Sequence, residues 1–268
     1  MSSGETYTHG HHESVLRSHR WRTAENSCAY LLDRLRPGQR LLDVGCGPGT
    51  ITVDLAARVA PGDVLGVDAS DEVIAQARAT AGERGADNVR FAVGDIYALA
   101  ADDGSFDVVH AHQVLQHLRE PVRALSELRR VLRPEGVLAV RDSDYGAFAL
   151  APTDPRLTRW SELYHDVTTH NGAEANAGRH LLAWVRAAGF RDIEVSSSTW
   201  TYADADTRRW WGELWADRVT SSAFAEQAIA YELSSEAELD DLAAAWRDWS
   251  VHDDGCIILV HGEVLARP

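Results

Sequence analysis

Short apolar runs alternate along the chain with stretches in which apolar residues return every three or four positions, a pattern that predicts strands and helices in turn. Leu41, Leu42 and Val44 form the first buried run, and Ile51, Leu55 and Val59 then mark one face of a helix. After a break at Pro61-Gly62, Val64 to Val67 read as a second strand, and Ser70 caps a helix faced by Val73, Ile74 and Ala77. Val89, Phe91 and Val93 alternate with Arg90 and Ala92 in a third strand, and Phe106 to Val109 make a fourth. Pro121 opens a helix striped by Val122, Leu125, Leu128, Val131 and Leu132, and Val137 to Val140 make a fifth strand. This alternation, with no isolated β-run, predicts an α/β fold on a doubly wound parallel sheet.

Outside that block the pattern changes. Residues 1 to about 25 are polar, with His9, His11, His12, His19, Arg17, Arg20, Arg22, Tyr7 and Trp21 among them. They read either as a loosely packed arm or as a lid over a site. Thr23 to Arg36 predicts one helix through Ala24, Cys28, Leu31, Leu32 and Leu35, stopped by Pro37-Gly38. Downstream, Pro152–Asn171 and His180–Ala188 predict helices, Ile193 to about Tyr202 a sixth strand, and Cys256–Val260 a seventh. About 50 residues of helical pattern separate the last two strands, with Trp210, Trp211, Leu214 and Trp215 on one face and Leu239, Leu242, Trp246 and Trp249 on another. Such stripes are usually core, which gives a helical cap on the sheet edge; some rings in a cap can also wall an apolar or aromatic pocket. The predicted organisation is an arm and lid helix over 1–37, core over 38–145, a cap insert over 146–178, core over 179–203, a second cap insert over 204–252 and a final core strand over 253–268.

Candidate chemistry concentrates where the first strand meets its helix, at Asp43-x-Gly45-x-Gly47-x-Gly49. Glycines at a strand-to-helix turn let a ligand lie directly against the backbone, near the amides of a helix N-terminus. Spacing narrows the ligand. The dinucleotide fingerprint needs Gly or Ala where this chain has Thr50, and a phosphate-binding loop needs a lysine, whereas all 26 basic residues are arginine. Missing lysine also excludes a Schiff base with pyridoxal phosphate. An NAD-dependent oxidoreductase stays as a weaker alternative.

Charge limits the partners. With 41 acidic against 26 basic side chains the net charge is −15, which disfavours nucleic acid and anionic membrane surfaces and points to a small-molecule acceptor. Cys28, Cys46 and Cys256 are odd in number and far apart, as expected of reduced thiols in a cytoplasmic protein. No metal site is expected, because nothing at ligand spacing completes His9, His11 and His12. A homodimer is left open.

The turn, followed by Asp68 at the end of the second strand and Gly94-Asp95-Ile96 after the third, resembles the class I S-adenosylmethionine-dependent methyltransferases, and the stretch from His110 to Leu118 resembles their ubiquinone/menaquinone type. That resemblance implies a Rossmann-like seven-stranded sheet whose last strand is antiparallel and inserted beside the sixth. It also implies S-adenosyl-L-methionine as cofactor, held by Asp43, Gly45, Gly47, Asp68, Ala69, Asp95, Ile96, His112 and Gln113. In this reading Asp43 faces the cofactor's ammonium group, Asp68 its ribose, and Asp95 and Ile96 its adenine. On the acceptor side stand His112, as a base or a simple contact, with Asp144 as proton acceptor and Tyr145 as pocket wall; loop capping is the alternative for the last two. His117 reads as a packed, hydrogen-bonded helix residue. The implied reaction is methyl transfer to an O, N or C nucleophile of a natural-product or quinone-like molecule, giving S-adenosylhomocysteine. The alternative is a protein of the same fold that binds the cofactor without transferring its methyl group, as a cyclase, a tailoring enzyme or a ligand-sensing partner.

Overall fold

The computed structural model describes residues 6–8 and 18–268, and among these an eight-stranded sheet lies at the centre. Strands β1 (Leu41–Val44), β2 (Val64–Asp68), β3 (Val89–Val93), β4 (Phe106–His112) and β5 (Leu132–Ser143) pair in parallel in the order β3-β2-β1-β4-β5. After β6 (Ala149–Ala151) and β7 (Arg191–Tyr202), the last strand β8 (Cys256–Arg267) inserts antiparallel between β5 and β7. The extra strand relative to the expected seven is β6. It pairs with β8 at Ala149↔Ile258, on the flank that β5 occupies further along, so it continues β5 past the interruption at residues 144–148.

The helices are α1 (Ala24–Ser27), α2 (Ala29–Leu32), α3 (Thr50–Val59), α4 (Asp71–Arg84), α5 (Pro121–Val131), α6 (Pro155–His170), α7 (Ala177–Ala187), α8 (Ala205–Ser221), α9 (Ala223–Ala230) and α10 (Glu236–Val251). Local signals act as the sequence predicts at several of their ends: Ser70 Oγ accepts the Val73 amide at the start of α4, and Pro121 stands in the first turn of α5.

Two expectations change. The single helix expected over 23–36 is broken at Cys28, whose φ is −141°. The Asn26 carbonyl accepts the Trp200 indole N–H at 2.6 Å, an interaction that draws it away from the regular helical ladder. Strand β5 runs three residues past Val140, because β8 extends to Arg267 and supplies partners to Arg141, Asp142 and Ser143. These three belong to the sheet, not to a loop beyond it.

Two large buried clusters dominate the core. One lies between the sheet and α5 and α7, with Leu42, Val109 and Leu138 essentially unexposed, while α3 and α4 pack into two smaller clusters. The other is aromatic and belongs to α6, α8, α9 and α10. Trp160 meets Trp215 and Trp246 edge-on at 4.6 and 4.8 Å, and all three are buried. Trp249 Nε1 donates to the Ala151 carbonyl at 2.9 Å, tying α10 to β6. No helix among the described residues is long and apolar enough to cross a membrane.

Candidate functional site

Between β1 and α3 the chain turns through Gly45, Gly47 and Gly49, with φ of +69°, +55° and +82°. Two of these matter to the site. A Cβ at Gly45 would stand 2.3 Å from Val114 Cγ2, so the missing side chain allows the turn to close on the loop after β4. A Cβ at Gly47 would meet nothing nearer than His19 Nδ1 at 3.8 Å, so this residue presents bare backbone to the cavity with only the His19 ring at contact distance.

Carboxylates surround that backbone. Asp68 Oδ2 accepts the Gly47 amide at 3.1 Å and Oδ1 accepts the Ser70 amide at 3.2 Å, which fixes the side chain at the end of β2. Asp43 is held more completely: Oδ1 accepts from His110 Nδ1 at 2.7 Å and Oδ2 from Thr52 Oγ1 at 2.6 Å, all buried. Asp95 Oδ1 accepts the Tyr97 amide at 2.9 Å. Gly45, Gly47, Asp43, Asp68, Ala69, Asp95 and Ile96 all line one cavity of about 250 Å³ over the carboxyl ends of the strands.

The same cavity continues past His112 and Gln113 to a chamber walled by Tyr145, Trp200, Tyr202, Trp210 and Trp211. Gln113, at φ +54°, is the junction. Its Oε1 accepts from Arg22 Nη2 at 2.6 Å, which fixes the amide orientation. Its Nε2 therefore donates to Ser143 Oγ at 2.9 Å and to His261 Nε2 at 2.9 Å, and His261 is the Nδ1–H tautomer. His112 is 5% exposed and neither ring nitrogen has a hydrogen-bond partner among the described residues. Burial, and then the nearby Arg141 and Arg22 guanidiniums, hold its pKa well below the usual imidazole value, so the ring is neutral at pH 7.

The acceptor-side expectations separate here. Tyr145 lines the cavity, stacked on Tyr164 at 3.9 Å. Asp144 does not line it: Arg179 Nη2 donates to Oδ1 at 2.5 Å and Arg179 Nε to Oδ2 at 2.7 Å. A carboxylate held in this fork toward α7 has no access to the chamber, so the proton-acceptor expectation for Asp144 is withdrawn. His117 is hydrogen-bonded to Gln116 Nε2 at 3.0 Å as expected, and it also lines the cavity, edge-on to Tyr7 at 4.8 Å.

Trp200, Arg218 and His261 line the cavity without having been assigned a role from sequence, and Tyr7 and Arg22 line it from the arm that the sequence offered as a lid. For Tyr7 and Arg22 the available signal was aromatic and cationic residues in an otherwise polar arm. His261 carried none. His9, His11, His12 and Arg17 fall outside the described residues.

Comparison with known proteins agrees with this geometry. The methyltransferase-domain family matches residues 35–204. An uncharacterized methyltransferase of Schizosaccharomyces pombe is 34% identical over 97% of this chain and 96% of its own. A probable methyltransferase of Aspergillus luteorubrus, ltbC, is 29% identical over 99% of both chains. Among solved structures, the [4+2]-cyclase SpnF aligns with all of this chain and 87% of its own, at a TM-score of 0.52 and 26% identity. Together with the glycine turn and the parallel sheet, these matches place the chain in the class I S-adenosylmethionine-dependent methyltransferase family.

Proposed function

We propose that this methyltransferase acts on an O, N or C nucleophile of a small apolar or aromatic molecule of natural-product or quinone-like type, releasing S-adenosylhomocysteine. The observation that carries the reading is one continuous cavity, with bare glycine backbone and Asp68 at one end and aromatic rings at the other. We take residues 38–145, 179–203 and 253–268 as the cofactor-binding core, and 146–178 and 204–252 as cap inserts that wall the acceptor.

The residues at the first end fit S-adenosylmethionine. Gly47 offers bare backbone where a Cβ would otherwise project, Asp68 offers carboxylate oxygens for ribose hydroxyls, and Asp95 with Ile96 offers an acceptor and an apolar contact for a purine. Asp43 acts mainly through others, since His110 and Thr52 occupy both its oxygens; it rigidifies the turn beside Gly45. When bound, this cofactor supplies a methyl group already activated on a sulfonium. What remains to the protein is alignment and exclusion of water, which in well-oriented systems is worth about 7–11 kcal/mol. The aromatic wall positions the acceptor, and Gln113, clamped by Arg22, Ser143 and His261, stiffens the junction. His112, kept neutral by burial and by the Arg141 and Arg22 guanidiniums, is a poor base and serves as a contact at the junction, so no general base is assigned.

The acidic balance supports a small acceptor over nucleic acid, and three unpaired cysteines support a cytoplasmic setting. The full-length likeness to SpnF favours one second reading, a cyclase or tailoring enzyme that holds the cofactor without spending its methyl group. Turnover separates the two. The protein loaded with S-adenosylmethionine is incubated with a panel of aromatic and quinone-like acceptors, and S-adenosylhomocysteine is quantified against product. Equal amounts support transfer; product formed with the cofactor intact overturns it in favour of the second reading.

A further inference from the structure

Two guanidiniums lie over the Trp200 indole, and they are neutralised differently. Arg141 stands 4.8 Å from the ring centroid and pairs with Glu263, its Nε donating to Oε1 at 3.2 Å. Arg22 stands 5.6 Å from the same ring and has no carboxylate partner among the described residues. Among the described residues its side chain donates to a neutral amide, Gln113 Oε1, and its Nε is buried without a hydrogen-bond partner. The titratable groups that face it are the Tyr7 and Tyr202 phenols, which are neutral at pH 7, and the cations Arg218 and Arg141. Burial lowers its pKa to about 10, which leaves it charged at neutral pH.

Arg22 is part-buried, and a cation partly removed from water without a counterion carries a cost that an arriving anion removes. The guanidinium fork suits a planar carboxylate, which it binds by paired hydrogen bonds. Around it the walls are flat and apolar: Trp21 packs edge-on against Trp200 at 5.2 Å, and Tyr202 stacks on Trp211 at 4.7 Å. We infer that the acceptor is an aromatic or conjugated carboxylic acid, its ring against Trp200 and Tyr202 and its carboxylate on Arg22. This rests on the transferase reading, because it takes the aromatic chamber as the acceptor's place. It adds a charge requirement that an apolar acceptor alone does not have.

The test uses the full chain loaded with S-adenosylhomocysteine and titrated calorimetrically with 2-naphthoate and with 2-naphthamide, a neutral molecule of nearly the same shape. The wild type is expected to bind the acid at least about ten times more tightly than the amide, as for a charge-assisted hydrogen bond. Arg22→Gln should erase that preference while moving amide affinity less than about twofold, and Arg22→Lys, which keeps the charge, should restore part of it. Equal binding of both probes by the wild type, binding of neither, or a preference that survives in Arg22→Gln would overturn the inference. So would an Arg22→Gln variant that loses S-adenosylhomocysteine but keeps 5′-methylthioadenosine, since the residue would then serve the amino-acid end of the cofactor. The titrations are repeated without S-adenosylhomocysteine. Failure of the wild type to bind that compound sinks the transferase reading, and the acid-over-amide comparison is still judged on its own.

Discussion

The two ends of the cavity are built by opposite means. At the glycine turn the recognition surface is backbone, and the side chains that matter are short acids fixed by amides: Asp68 by Gly47 and Ser70, Asp95 by Tyr97. At the cap end it is ring surface, delivered by residues from three separate regions, Trp21, Trp200 and Trp210. A backbone cradle tolerates little change because its shape is the chain's own path. An aromatic wall can change ring by ring without disturbing the sheet beneath it, which is how one fold serves many acceptors. Trp160, Trp215 and Trp246 lie in the cap core away from the cavity, whereas Trp200 and Trp211 belong to the same core and, with Trp210 packed against it, also line the cavity.

The sharpest way to break this division is to remove a ring from the structural set. Trp246→Ala should cost about 3–5 kcal/mol of stability, the usual range for a large buried aromatic, measured by denaturant unfolding. Loss of less than about 1 kcal/mol would mean that Trp246 is not core. Next in size, Asp68→Ala should weaken S-adenosylhomocysteine binding about 10–100-fold in calorimetry, as for lost hydrogen bonds to a charged group, and leave binding of an acceptor-like naphthalene unchanged. Trp210→Ala should do the reverse. We expect acceptor KM to rise about 3–10-fold from a lost ring contact while cofactor affinity holds, and a parallel loss of both affinities would show that the two ends are not independent.

A pH-dependent effect concerns the strand that joins the ends. Asp142 is unexposed on β5, accepts the Gln116 amide at 3.1 Å and leaves Oδ2 without a partner; burial raises its pKa from 3.8 to about 7. Between those two values the folded protein binds a proton that the unfolded chain releases, so this group's contribution to stability falls as pH rises from about 4 to about 7 and is flat above. Asp142→Asn removes that dependence. The Tm of the variant minus that of the wild type should therefore climb across the same window, and a difference that stays constant with pH would refute the assignment.

Legibility in the sequence follows the same division. The turn, its strand and Asp68 are local: a few consecutive residues specify them, and Ser70 caps its helix as its position indicates. What was not legible depends on distant partners. Asp144 looked free in its loop until Arg179, 35 residues on, took both its oxygens. The break at Cys28 needs Trp200, 174 residues from Asn26 along the chain, and β6 exists only because β8 passes beside it. Arg22 reads as one more arm arginine until the fold sets it over Trp200 beside Gln113. Periodicity reports which face of an element is buried, but not what lies across from it.

Gly47 gives the most direct test of the account's central claim, that bare backbone at this turn is the floor of the cofactor site. Calorimetric titration with S-adenosylhomocysteine would compare the wild type with Gly47→Val, using circular dichroism and Tm to establish that the variant is folded. One-to-one binding by the wild type is expected, and its loss by a factor of at least about 100 in a folded variant, because the added side chain projects over the turn and is strained at a φ of +55°. Undiminished binding by folded Gly47→Val would contradict it.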